Sequence, residues 1–353
     1  MSPPSVARWM IYGANGYSGR LIAIDAVRRG LRPVLAGRSG AVATLADALD
    51  LEHRRFDLAD ATGVRDGLDG MALVLHCAGP FSATCAPMLE GCLATGTHYL
   101  DITGEIGVFE YCHRQDARAR ECGILVMPGT GFDVVPTDCL AARLKRDLPD
   151  ATTLVLAFEA GGGPSPGTAK TSVEGLGMGG RARVGGKLVA VPLAWKSRTF
   201  VRDGQERSAM TIPWGDVYTA FVSTGIPDIE VYMAVSPATI ARVRRLRRFG
   251  PLLRTRFVQR WLQARVDRRV RGPSEVQRER SRTHVWGEAR NAAGREVKHH
   301  LVMPNGYTLT VDAALGIVEH VLQHPSRTGF CTASQLMGAD YIMTLPAVSE
   351  CRD

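Results

Sequence analysis

A short apolar run, Met10-Ile11-Tyr12, breaks into three glycines spaced by three, Gly13, Gly16 and Gly19, and an amphipathic segment over 20–29 follows at once. That order predicts a strand, a tight turn and a helix start. Glycine turns with positive φ at no steric cost and lets another group come close to the backbone. The amides of Tyr17, Ser18 and Gly19 then open a helix and lie along its dipole, which attracts a phosphate; Asn15 sits inside the turn. The spacing is GxxGxxG rather than GxGxxG, and a glycine-rich turn without a ligand is the alternative. The strand–helix units that follow favour a dinucleotide site.

The next strand separates the two nicotinamide dinucleotides. It runs from Pro33 through Val34-Leu35-Ala36 and ends in Gly37-Arg38-Ser39, where an NAD site would place a carboxylate against the ribose. A guanidinium accepts a 2′-phosphate through charge-assisted hydrogen bonds, and the Ser39 hydroxyl adds another donor. NADP(H) is therefore the expected cofactor, with a solvated turn arginine as the other reading of Arg38.

Further along, helical stretches at 41–51 and 62–68 alternate with strands at 54–58 and 72–77. Continuous apolar strands between helices are the mark of a parallel sheet covered on both faces. Asp57 and Leu58 end one strand beside the expected adenine ring, or form a plain turn. Cys77, Ala78, Gly79, Pro80 and Phe81 follow the strand after it, at the carboxyl edge where open α/β sheets bind ligands. Gly79 and Pro80 let this loop pass near the nicotinamide, with Phe81 as a wall; equally, Gly-Pro merely ends a strand. A helix over 87–96, a strand over 98–102, a helix over 106–122 and a strand over 124–127 complete the first domain. The loop 128–138 then carries Asp133 and Asp138, which read as turn and cap residues more readily than as acids in catalysis.

From about residue 151 the pattern changes to alternating or β-branched runs at 152–160, 187–191, 197–202, 229–235, 281–289 and 297–303. These predict a mainly antiparallel sheet and hence a second domain. The fold class is α/β: a Rossmann-type parallel sheet with an inserted α+β domain. Its boundaries are 1–150 for the NADP-binding domain, 151–304 for a substrate and dimerisation domain, and 305–353 for a helix and tail returning to the first. The glycine-rich stretch 161–171 reads as a lid or substrate loop leading into a helix that ends at Gly177, with Lys170 as its cation for a carboxylate or phosphate or as a solvated lysine. Trp214 and Tyr218 lie in a further loop able to line a pocket. The tail closes with Tyr341-Ile342-Met343 as a last strand.

The net charge of +8 is not spread evenly, because 240–271 holds twelve arginines against one acid, Asp267. The rest of the chain is thus net acidic by three. Apolar residues in this segment, Ile240, Val243, Leu246, Phe249, Leu253, Phe257, Trp261 and Val270, recur at helical steps, with a break at Gly250-Pro251. A basic amphipathic helix over 239–271 either covers its own domain's sheet or touches an anionic membrane surface. Nucleic acid lacks a second basic patch or an RNP-like motif and is not expected. The eight cysteines show no CxxC and no metal-ligand spacing, so no metal site is expected, and reduced thiols suit a cytoplasmic protein, peripherally membrane-associated at most. No apolar run reaches the roughly 18 residues of a membrane span.

Taken together, several stretches resemble the saccharopine dehydrogenase-like reductases, and most the branch with trans-acting enoyl reductases. They are 13–19, Ala36-Gly37-Arg38, Gly79-Pro80-Phe81, 97–105, 131–138 and 306–310. The resemblance implies an NADP-binding Rossmann domain, an inserted antiparallel domain for substrate and dimerisation, so a homodimer, and a small-molecule acceptor. The leading expectation is an NADPH-dependent reductase of an activated C=C, enoyl-type and hydrophobic or lipid-like. Tyr99, Asp101 and Asp133, at strand ends, are the candidates for catalytic polar work. The alternatives are an imine reductase or amino-acid dehydrogenase, with Lys170 and Arg181 as carboxylate clamps, and a non-catalytic NADP-binding protein docked to a membrane or partner.

Overall fold

The structure is a computed structural model that describes residues 7–351. The chain begins with β1 (Trp9–Tyr12), α1 (Tyr17–Arg28), β2 (Val34–Gly37), α2 (Ala41–Leu49), β3 (His53–Arg55), α3 (Ala61–Leu68) and β4 (Leu73–His76). It continues through α4 (Phe81–Thr95), β5 (His98–Asp101), α5 (Ile106–Arg114), α6 (Asp116–Glu121), β6 (Leu125–Met127) and α7 (Val135–Asp147). Next come β7 (Ala151–Glu159), α8 (Pro166–Met178), β8 (Gly180–Val184), β9 (Lys187–Val191), β10 (Ser197–Arg202), β11 (Gln205–Thr211), α9 (Asp216–Thr224) and β12 (Asp228–Ala234). The arginine-rich stretch forms α10 (Pro237–Leu246), a 3-10 turn (Arg247–Phe249), α11 (Gly250–Leu253) and α12 (Arg256–Arg269). After α13 (Glu275–Arg280), β13 (Arg282–Asn291) and β14 (Glu296–Pro304) come α14 (Gly306–Gln323), β15 (Gly329–Phe330), α15 (Ala333–Met337), α16 (Tyr341–Thr344) and β16 (Ser349–Cys351).

Two compact units result. The first holds the chain up to Phe132 together with Thr310–Thr332. Its seven strands run in the order β15-β6-β5-β4-β1-β2-β3, all parallel. Without the short edge strand β15 this is the doubly wound dinucleotide-binding order, reversing direction between β1 and β4. The strands β1, β2, β4, β5 and β6 are buried at every residue, as strands covered by helices on both faces are.

The second unit holds Asp133–Leu309 and the tail from Ala333. Its sheet runs β10-β11-β12-β7-β13-β14-β16, with β8 pairing β12 and β9. Every pairing is antiparallel except β7 with β12, so the sheet is mixed. Val155, Ala157, Phe200, Ala209, Tyr232 and Trp286 form a buried cluster on it.

The unit boundaries differ from those read in the sequence. Helix α7, expected with the first domain, packs on β13, where Gly287 leaves room for Leu140 and Leu144; a Cβ there would sit 2.6 Å from Leu144 Cδ1. The final residues do not return to the first sheet either, since β16 adds to β14. Tyr341-Ile342-Met343, read as a strand, is the helix α16. The supposed loop 161–171 is helical from Pro166, because Ser165 accepts the Thr168 N–H at 3.2 Å and Pro166 fits the first helical position. Lys170 therefore rides on a helix.

Candidate functional site

The carboxyl edge of the first sheet is assembled from the loops that leave β1, β2, β4 and β5. The turn after β1 is pinned to its neighbour: Gly13 N–H donates to Ala36 O at 2.7 Å, and Gly16 N–H closes on Gly13 O at 2.9 Å. Gly13 has φ +81°, and a Cβ on it would lie 2.8 Å from Ala78 at the start of the β4 loop. On Gly19 a Cβ would fall 2.4 Å from Gly13 O. Side chains at these two positions would thus fill the space between turn, helix and β4 loop. Helix α1 begins on Gly16 with no side-chain cap, and its first backbone bond is Arg20 N–H to Gly16 O. A helix start offered uncapped at the reversal of a parallel sheet fits a pyrophosphate.

At the end of β2, Gly37 leaves space for Asn15, whose amide donates to Ser39 Oγ at 3.4 Å. Arg38 is exposed, and its carbonyl accepts Arg55 Nε–H at 3.1 Å. Asp57 forms an exposed turn, accepting Ala59 N–H at 3.0 Å. The Tyr12 hydroxyl donates to Phe56 O at 3.1 Å. Burial, with the Asp57 charge adding and Arg38 opposing, pushes Tyr12 up to about 12. Arg38, Asp57 and Tyr12 therefore share one end of the sheet, with the guanidinium of Arg38 available for a phosphate.

The β4 loop is held by groups the sequence reading did not assign. Cys77 N–H donates to Tyr12 O at 2.7 Å, tying the loop to β1. Thr84, one turn into α4, donates its hydroxyl to Ala78 O at 2.7 Å, and His76 Nε2 lies 3.0 Å from Thr84 Oγ1. Because the threonine proton goes to the carbonyl, His76 donates from Nε2. Its Nδ1 is buried with no partner among the described residues, and burial lowers its pKa to about 3. Glu105, from the loop after β5, accepts Phe81 N–H at 3.0 Å and Ser82 N–H at 2.7 Å. It caps α4 in place of Pro80, which brings no cap of its own, and lets that helix start at Phe81 rather than at Pro87 as read. The Phe81 ring turns inward, edge-on to His76 at 5.3 Å, rather than out into the loop. Burial pushes the Cys77 thiol well up, so it stays protonated. A polar residue ending an apolar strand, and an acid two residues past Thr103 in the next loop, were the available signals.

Tyr99 and Asp101 differ from what their strand-end positions suggested. Both are wholly buried, and the Tyr99 hydroxyl donates to Asp101 Oδ2 at 2.7 Å. Asp101 Oδ1 accepts Thr103 N–H at 2.9 Å and Gly129 N–H at 2.8 Å, while its carbonyl accepts Thr130 N–H at 2.7 Å. Desolvation raises Asp101 to about 6, although these donors oppose the shift. The pair fastens the loops after β5 and β6 and presents no surface to a substrate. Their catalytic assignment is corrected to a positioning one.

The remaining sequence candidates lie in the second unit. The Asp133 carbonyl accepts the Trp214 indole N–H, and the Trp214 ring packs on Phe158 at 4.9 Å. Tyr218, on α9, lies under the Arg183 guanidinium at 5.7 Å. Lys170 is half-buried on α8. Arg181 spends its guanidinium on backbone carbonyls, Gly180 O at 2.9 Å and Met178 O at 3.3 Å. Unforeseen in the sequence is Asp216, wholly buried and pushed well above the carboxylate range by burial, with the charges of Asp138 and Asp133 adding to it. Among the described residues no group of His, Cys, Asp and Glu is placed to hold a metal ion.

Residues 9–127 match the family model described as the saccharopine dehydrogenase NADP binding domain. Over 195 residues the chain is 26% identical to a saccharopine dehydrogenase-like oxidoreductase of Bos taurus, covering 48% of this chain and 46% of that protein. It is 32% identical over 149 residues to a trans-acting enoyl reductase of Mycobacterium leprae, covering 39% of this chain and 35% of that protein. The chain thus spans less than half the length of these relatives. The fold matches that of apo saccharopine dehydrogenase (L-Glu forming) from Saccharomyces cerevisiae, with TM-score 0.65 and 11% identity over 98% of this chain and 100% of that one.

Proposed function

The chain carries an NADP-binding domain of the saccharopine dehydrogenase type, and from that premise we propose that it is an NADPH-dependent oxidoreductase acting on an activated C=C, of enoyl type, in a hydrophobic or lipid-like substrate. The observation that carries the redox reading is the edge between β1 and β4, where an uncapped helix start, two glycines packed to contact and an exposed arginine lie at one reversal of the sheet. The bound cofactor would supply a hydride. Gly13, Gly16 and Gly19, with the amides of Tyr17 and Ser18, hold the pyrophosphate in this reading; Gly37, Arg38, Ser39 and Asn15 hold the 2′-phosphate side, and Asp57 the adenosine.

The β4 loop, Cys77 to Pro80, orients the reactive face. Thr84 and Glu105 keep that loop fixed through hydrogen bonds to its backbone. Neutral His76 beneath it adds no charge to repel or trap an intermediate. In the second unit, Trp214 and Tyr218 are the groups we assign to the substrate, and their aromatic surface supports an apolar acceptor over an amino acid. Arg181, already bonded to two carbonyls, is poorly disposed to clamp a carboxylate.

The test is NADPH oxidation by the purified chain against a panel of enoyl thioesters and a panel of imino acids. Turnover confined to imino acids overturns the enoyl reading, and turnover of neither overturns the redox one. Arg38→Asp should weaken NADPH by about 10- to 100-fold and leave NADH within a few-fold, since charge-assisted bonds are worth about 1.5–3 kcal/mol. Equal losses for both cofactors would remove Arg38 from the phosphate.

A further inference from the structure

The arginine-rich helices of the second unit bury only part of the stripe that the sequence pattern marked: Ile240 is buried and Val243, Leu246, Leu253 and Val270 half-buried, while Phe249, Phe257 and Trp261 are exposed. The inward side of α12 is Val258, Gln259, Leu262, Gln263 and Val266, all half-buried. It packs on α8, where Gln259 Nε2 donates to Val173 O at 3.1 Å and Gln263 Nε2 to Glu174 Oε1 at 3.2 Å. Phe257 and Trp261, one turn apart, are left 81% and 56% exposed. They belong to an outer stripe with Arg260, Ala264, Arg265 and Arg268, at steps of three and one, so aromatic rings and guanidinium groups alternate along one exposed face. Arg265 lies over the Trp261 ring at 5.7 Å. The turns before α12 expose Phe249 and Leu252, and the end of α8 exposes Met178.

We propose that this face is a docking surface for the anionic head groups and upper acyl chains of a phospholipid membrane. Charge complementarity chooses the occupant, because 240–271 carries a local excess of eleven positive charges on a chain otherwise net acidic. Arginine stems lie along apolar surface with the head group in the polar layer, while Phe and Trp enter the boundary below it. A second copy of the chain is disfavoured, since it would bring arginine against arginine. A nucleic acid would meet the charges and stack on the rings, but Leu252, Phe249 and Met178 gain nothing from a phosphate backbone and gain from acyl chains. No helix among the described residues is long and apolar enough to cross a membrane, so the face lies on the surface. The inference is independent of the redox reading.

The experiment is co-sedimentation of the full chain with phosphatidylcholine vesicles containing one third phosphatidylglycerol, against vesicles of phosphatidylcholine alone. The expected preference for the anionic vesicles is at least about tenfold. The double variant Phe257→Ala, Trp261→Ala should lose about tenfold or more of that binding. Arg260→Gln and Arg265→Gln should each lose about fivefold. NADPH affinity, measured alongside, should stay unchanged and reports the fold. Trp261→Phe, a milder change, should keep the binding but lose tryptophan quenching by brominated lipid. Equal sedimentation with both vesicle types, or unchanged quenching in Trp261→Phe, overturns the proposal. So does a parent chain that ignores vesicles yet binds a single-stranded oligonucleotide, or one that dimerises through this face in sedimentation velocity.

Discussion

His76 and Asp101 stand opposite each other on β4 and β5, and both are wholly buried. Burial acts on them in opposite senses. His76 falls from 6.5 to about 3 in the fold, so its contribution to stability is complete above 6.5 and is lost as pH falls toward 3. Asp101 rises from 3.8 to about 6, so its contribution is complete below 3.8 and is lost as pH rises through 6. Between roughly pH 4 and 6 the two slopes oppose each other, each about 1.4 kcal/mol per pH unit. Removing either group should expose the other. Relative to the parent, His76→Gln should lose stability as pH rises across that window, and Asp101→Asn should gain it. Urea denaturation at a series of pH values reads both, and parallel curves for all three proteins would contradict the assignment. Neither titration was legible in the sequence, where His76 ends an apolar run and Asp101 reads as a candidate for catalytic polar work. Burial and a missing Nδ1 partner are properties of the packed sheet, not of the chain. The place of Arg38, directly after β2, was legible because it follows from the strand pattern alone.

At the scale of elements, the glycine turn makes a prediction with an internal control. A methyl on Gly19 would meet the Gly13 carbonyl at 2.4 Å and Ala14 Cα at 3.0 Å, both backbone atoms that move only if the turn moves. Gly19→Ala should cost about 1–3 kcal/mol and weaken NADPH by at least about tenfold, the loss of one good hydrogen bond. Gly107, inside α5, meets nothing within 4 Å. Gly107→Ala should stabilise by about 0.5–1 kcal/mol, since only the entropic penalty of a helical glycine is relieved. Chemical denaturation and calorimetry with NADPH measure both variants; equal behaviour would mean that the Gly19 contact has slack. The strands β1, β2, β4 and β6 were readable because a doubly covered strand leaves an apolar run, which the exposed β3, His53-Arg54-Arg55, does not. The start of helix α8 was not, because Gly161-Gly162-Gly163-Pro164 and the following Pro166-Gly167 look like loop chemistry, while the cap on Ser165 is decided by one hydrogen bond. The helical period of 240–271 was readable, but its inward side was not. Val258, Leu262 and Val266 offer as regular a stripe as Phe257 and Trp261, and only packing on α8 chooses between them.

At the scale of the molecule, the tail makes one excursion to each unit: β15 extends the first sheet beside β6, and β16 then closes the second beside β14. A three-residue strand looks dispensable, and its sequence, Ser349-Glu350-Cys351, gave no strand signal. Its contacts argue otherwise. Glu350 accepts Arg143 at 2.8 Å and bonds His299 Nδ1, while His299 Nε2 lies 2.8 Å from Asp147. Arg143, with a side chain only 11% exposed, would lose this partner if the strand were removed, and β14 would present an unpaired edge. A chain cut after Leu345 should therefore lose about 2 kcal/mol or more, as a largely desolvated guanidinium gives up a charged partner. It should also associate through the bared edge, since an open strand pairs readily with another. Glu350→Gln separates the two effects. It weakens the charge pairing but keeps the backbone ladder, so it should lower the urea midpoint without raising light scattering. If the truncated chain scatters no more than the parent, the edge of β14 is protected by its own exposed Glu296 and Lys298, and β16 serves as an anchor for α7 alone.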